Sequence, residues 1–355
     1  MTVGLRAIDL RRRALPVGIA VVIAIGVAIR IVLIATPFTY IPDVLYYDTQ
    51  AVKALLVGSN PYGHTYVVPS ALATVGARNV FAYLPGVVEF LTPFGAVTDV
   101  RVGLVVCDVL VATALFSLRG KRSRPVAAVY MLLPTSILFT SWYPNDTLVG
   151  MAFLGLSIAK NERGHRWVSS ALLGAALASS QLVWLIYPFI LFPNLKAGKS
   201  REAALAILVA LALVAPFVIL NPAVFLGNTV SFEFSRPVQG LLTPQPFGAN
   251  VNPTLSGVAM TLLRTTVPLT VKGGIAFAAM LLFLRRSPTT LKALLNGSFF
   301  VIVGIFVLPS DFSWWYLELP LMTLMAWIIL VGKPSTGLVP GREPLKHGGV
   351  ARDHD

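Results

Sequence analysis

The sequence contains a single cysteine, Cys107, set within an apolar run, so neither an intramolecular disulfide nor a thiolate-based metal site can form. Histidine is almost as scarce. His64, His165, His347 and His354 are too scattered for metal-ligand spacing. Charge is also in short supply, at 12% of 355 residues, about half the share that covers a soluble domain. No internal repeat, Gly-x-Ser-x-Gly nucleophile elbow or P-loop motif occurs, which removes the common hydrolase and nucleotide-binding readings.

What fills the chain is apolar: 56% hydrophobic residues and a mean hydropathy of +0.77. Disordered chains have the opposite composition. The net charge is +13, but the 28 Lys and Arg residues gather in short clusters between apolar runs. That pattern sets membrane topology, and it argues against nucleic acid as a partner. Arg11-Arg12-Arg13 precedes the apolar run 17–36, which is too long for a signal-peptide core and long enough to span a bilayer.

Further apolar runs cover 102–118, 125–141, 147–159, 167–193, 203–220, 273–284, 293–309 and 312–332. Two segments decide the topology. Residues 84–98 hold two prolines and Glu89 and are expected to lie at the interface; residues 167–193 are uncharged and long enough for two crossings, turning near Ser179-Ser180-Gln181. The chain then crosses ten times, and Arg11–Arg13, Arg119–Arg124, Lys160–Arg166, Lys196–Arg201, Arg285–Lys292 and the C-terminal tail all fall on one face. By the positive-inside rule that face, with both termini, is cytoplasmic. The expected architecture is an all-α polytopic transmembrane bundle in one domain, 1–332, with large outer loops over about 37–101 and 221–272 and a flexible cytoplasmic tail, 333–355.

More than half of the 15 acidic residues fall on the outer face: Asp43, Asp48, Glu89, Asp99, Asp146, Glu233, Asp311 and Glu318. A carboxylate just beyond a transmembrane helix is held at the membrane surface, where it can take a proton from a hydroxyl as a general base; the plain alternative is a solvated surface aspartate. Asp43 is the candidate base. Asp146 is a second active-site carboxylate or the N-cap of its helix, and Asp48 fits an N-cap for the run 50–57. Arg30, Lys53, Arg78, Arg101, Arg236, Arg264 and Lys272 are the cations outside the inner clusters, and Arg236 stands in the second outer loop, where a lipid headgroup or a loop ion pair is its plain role. Arg30 is expected to snorkel, Arg101 and Asp108 to form a structural pair, and Trp314-Trp315-Tyr316 to sit in an interfacial aromatic belt.

The ordered set Asp43, Tyr46-Tyr47, Gly58-Ser59-Asn60-Pro61-Tyr62, Tyr83-Leu84-Pro85, Arg101, Asp108, Pro134, Asn145-Asp146, Tyr187-Pro188 and Trp314-Trp315-Tyr316 resembles the GT-C glycosyltransferases. It is similar in particular to their mannosyltransferases that use polyprenyl- or dolichyl-phosphate mannose, over about residues 15–200 and 310–332. The resemblance implies hexose transfer, mannose above all, from a polyprenyl-phosphate sugar to a lipid or glycan acceptor at the outer or luminal face of the cell or endoplasmic reticulum membrane. It also implies a catalytic Asp43 in the first outer loop, with Asp146 opposite. Tyr46, Asp48, Arg78, Gln181 and Arg236 would contact donor or acceptor. No cofactor is expected besides the polyprenyl-phosphate sugar as donor substrate, and dependence on a divalent metal stays open. One departure stands out: members of this branch often carry lysine where this chain has Gln181, and an amide brings no charge to a phosphate. The competing classes are a lipid or solute transporter, which would place ionisable groups near the midplane and show repeat symmetry, and a non-catalytic membrane protein of the same shape.

Overall fold

The computed structural model describes residues 17–36, 43–67, 80–118, 120–142, 145–231, 238, 241–245, 248–287, 290–309 and 314–331. They are helical almost throughout. The exception is a small antiparallel pair, β1 (Leu242–Gln245) and β2 (Gly248–Val251). The expected tail and the turn containing Tyr143 and Pro144 lie outside the described residues, as do Asp311 and the side chains of Trp314 and Trp315.

The first helix, α1 (Val17–Ala35), is followed by α2 (Asp43–Leu56), α3 (Pro85–Val97) and α4 (Val100–Ser117). Residues 125–141 do not form one rod. They divide into α5 (Ser123–Leu132) and α6 (Pro134–Ser141), because Pro134 lacks an amide proton and holds Leu133 extended. Next come α7 (Thr147–Glu162), α8 (Arg166–Ser179) and α9 (Gln181–Lys196). The long uncharged run is thus broken where expected, at Ser180, whose φ of −150° and ψ of 127° are those of extended chain. After α10 (Ser200–Leu220) come α11 (Pro222–Leu226) and a π turn over Gly227–Ser231, then α12 (Leu255–Leu263), α13 (Leu269–Arg285), α14 (Thr290–Val307) and α15 (Glu318–Val331).

Helices α1, α4 and α10 are long and apolar enough to cross a membrane. On α1 and α10 much of the apolar surface faces outward through residues such as Val21, Val32, Leu208 and Leu220. Patches of that kind suit acyl chains and are rare on water-facing surfaces.

The helices alternate in direction. At one end, Arg101 near the start of α4 donates to the carbonyls of Ile34 and Ser141, Asn145 ahead of α7 meets Glu318 at the start of α15, and Gln181 opening α9 reaches Thr229 beyond α10. At the other end, Arg163 after α7 donates to Ser117 closing α4, and Gly120 abuts Ile329 near the end of α15. Helix α3 has both ends at the first end. Gly86 packs against Ser179, where any Cβ would collide, and Gly95 packs beside Val100.

Two expected charge partners change. Arg30 does not snorkel, and Arg101 does not pair with Asp108. Arg30 is fully buried, with its Nε donating to Asp108 Oδ2 at 2.7 Å. Its remaining N–H groups reach the carbonyls of Gly26 and Met131 and the Ser136 hydroxyl. Asp108 also accepts from Tyr130, Ser136 and Thr140. Arg101 is engaged by its helix-capping neighbour Asp99, at 2.7 Å, and so faces away from Asp108. Spacing along one helix suggested the pair; the approach of α1 and the α5–α6 break supplied Asp108 with a better set of donors.

Candidate functional site

Helix α2 buries Val44, Tyr47, Asp48, Ala51 and Val52, positions that share one helical face. That face packs on α3, so Asp48 is carried inside with its apolar neighbours and is only 1% exposed. It is therefore not a helix cap. The helix begins at Asp43, seven residues before the expected start, where a carboxylate complements the helix dipole and Asp43 Oδ1 accepts from the Val44 amide at 2.9 Å. Asp43 itself remains half-buried.

Asp146 arrives from the start of α7. It does not cap that helix; Asn145 does, its Oδ1 accepting from the Thr147 amide at 3.0 Å. The Asn145 amide also donates to Glu318 Oε2 at 2.8 Å, tying the turn before α7 to the last helix. Asp146 is left to turn inward, where its carboxyl lies within hydrogen-bonding reach of Asp48 and of the Tyr83 hydroxyl.

Among the described residues, no N–H or hydroxyl donor reaches either oxygen of Asp48 or Oδ1 of Asp146. Two ionised carboxylates cannot be held together in such a place, so the contact requires a proton between them. Burial pushes Asp48 up to about 7, with the contact to Asp146 partly offsetting it. Asp146 is pushed well above the usual carboxylate range by burial first and by the Asp48 charge second, with Asp43 adding to the same effect. Both shifts act to keep a proton on the pair near neutral pH.

The segment 81–83 joins the surroundings to this pair. The Tyr83 carbonyl accepts from the Tyr62 hydroxyl at 2.6 Å, and the Ala82 carbonyl accepts from Gln181 Nε2 at 3.3 Å. Tyr62 is 1% exposed and meets Phe81, Phe217 and Phe225 edge-on, so the Gly58–Tyr62 stretch is a buckle that fastens the first loop to α10 and α11. The Tyr46 hydroxyl donates to the Val67 carbonyl.

Of the residues expected in the site, the structure brings Asp43, Asp48, Asp146 and Gln181 to one end of the bundle. Tyr46 lies on the same helix as Asp43, with its hydroxyl proton already committed. Arg78 and Arg236 lie outside the described residues. Two contributors were missed: Tyr83, which donates to Asp146, and Glu318, which is 6% exposed and holds Asn145. Among the described residues, no group of three His, Cys, Asp or Glu side chains is arranged to hold a metal ion. No protein-family model matches the chain, and comparison with curated proteins finds no significant match.

Proposed function

We propose that the protein is an integral membrane glycosyltransferase that moves a hexose, mannose being the first candidate, from a polyprenyl-phosphate sugar to a lipid or glycan acceptor. The reading places ten crossings in the cell or endoplasmic reticulum membrane, the basic clusters and both termini in the cytoplasm, and the carboxyl end of the bundle on the outer or luminal face. The observation that carries it is the buried Asp48–Asp146 pair beside half-buried Asp43, at the helix end opposite the basic clusters.

The chemistry divides among these groups by exposure. Asp43 is accessible enough to touch an acceptor, so it takes the proton as the acceptor oxygen attacks the anomeric carbon and the bond to the donor phosphate breaks. The polyprenyl phosphate leaves with the electron pair, and the sugar configuration inverts. Asp48 and Asp146 are too enclosed to touch the acceptor. They lie near Asp43, close enough for its charge to push Asp146 up further. Gln181 is committed to the carbonyls of Ala82 and Thr229, so it braces the site, and the donor phosphate falls to a cation such as Arg236 or Arg78.

The test is purified protein supplied with a panel of polyprenyl-phosphate sugars, scored for lipid-phosphate release and for transfer. Release with one hexose donor, lost in Asp43→Asn while donor binding persists, is the expected result. Absence of release with every donor would overturn the reading.

A further inference from the structure

A sizeable hollow among the described residues lies far from the carboxyl pair. It is a cleft of about 410 Å³ at the opposite end of the bundle, between the end of α7, the starts of α8, α10 and α14, and the ends of α9 and α15. By volume it would hold about fourteen waters. Its wall carries Glu162, Arg166, Lys199 and Glu202, two acids and two bases, on three different helices and the turn before α10. Leu173 and Leu294 supply an apolar side to the same hollow. A packing defect would be small and wholly apolar; a hollow of this size with charged groups in its wall is filled by water or by a ligand.

We propose that this cleft binds a phosphoethanolamine group, carried by a phospholipid of the cytoplasmic leaflet. Four features select that chemistry. The cleft lies among the basic connectors, at the level where a membrane bundle meets lipid headgroups. Arg166 and Lys199 offer N–H donors to a phosphate. Glu162 and Glu202 offer carboxylates to an ammonium with three N–H donors, whereas they would repel a headgroup that brings negative charge alone. The leucine side gives the glycerol and first acyl carbons an apolar wall. The proposal depends on the membrane placement of the helices and not on sugar transfer, so it can fail while the enzymatic reading stands.

Native mass spectrometry of the full-length protein in detergent tests it, with added dioleoyl phosphatidylethanolamine, phosphatidylcholine and phosphatidylglycerol. The ethanolamine lipid should be retained about tenfold more tightly than either of the others, the difference one charge-assisted contact makes. Arg166→Ala with Lys199→Ala should abolish retention. Glu162→Gln with Glu202→Gln should bring phosphatidylethanolamine down to the level of phosphatidylcholine. None of these four side chains is fully enclosed, so the variants should fold, and an unchanged melting temperature checks that they have. Equal retention of the three lipids, stronger retention of phosphatidylglycerol, or no effect of the four substitutions would overturn the proposal. Displacement of the lipid by an equal concentration of soluble glycerophosphoethanolamine would overturn the lipid as the source and assign the cleft to a free headgroup.

Discussion

Two aspartate sites are buried in this molecule, and they are solved in opposite ways. Asp108 sits in the bundle with Arg30 and three hydroxyl donors; its charge is cancelled and each oxygen accepts two hydrogen bonds. Asp48 and Asp146 are as well enclosed, but each has the other's carboxyl as its main polar neighbour. Burying an ion pair is tolerable only when the geometry is complete, and Arg30–Asp108 meets that condition by drawing on α1, α4, α5 and α6 at once. The second site does not. The first site is architecture; the second is where the proposed reading puts the chemistry.

The largest expected effect falls on the first site. Arg30→Ala leaves Asp108 buried without its countercharge and should cost about 3–5 kcal/mol, seen as a sharp fall in the detergent melting temperature. A variant that melts with the parent would refute the structural role. Asp43→Asn should do the reverse. Asparagine starts a helix as well as aspartate does, so the protein should melt normally, while transfer falls on the order of a hundredfold through loss of the base. Near-normal transfer by a folded Asp43→Asn protein would remove Asp43 from the reaction.

Glu318→Ala lies between these extremes. It strips Asn145 of its buried acceptor, a loss of about 1–3 kcal/mol, and frees the turn that aims Asp146. Stability and transfer should both fall, transfer by about tenfold through misplacement of a group that must be held closely. Glu318→Gln, which can still accept from Asn145, should recover much of each. If both variants behave like the parent, Glu318 does not hold the site.

Much of this arrangement was readable in advance, and the gaps have physical causes. Apolar runs and basic clusters are one-dimensional signals, so the helices, the break at Ser180 and the alternation of helix directions followed from them. So did the gathering of Asp43, Asp48, Asp146 and Gln181 at one end. Partners across the bundle are not one-dimensional. Arg30 and Asp108 lie 78 positions apart and Asn145 and Glu318 lie 173 apart, and no local spacing relates them. Asp48 is different, because its burial was legible. It stands four residues after Val44 and three before Ala51, on the apolar face of its own helix, a position at odds with a capping role.

The smallest effect is the most specific to the carboxyl pair. An aspartate titrates near 3.9 in an unfolded chain, whereas burial holds Asp48 at about 7 in the folded protein. Between those values the folded state binds more protons than the unfolded state, so stability must fall as pH rises. The stabilising contribution is complete below about pH 4, declines through neutrality and is gone above the folded value. The melting temperature of the parent should therefore decline from pH 5 to pH 8. Asp48→Asn removes one of the two titrating carboxyls and gives Asp146 an amide donor in place of a like charge, so the decline should flatten in that variant. A slope that survives Asp48→Asn unchanged would mean that the shared proton is not held by this pair.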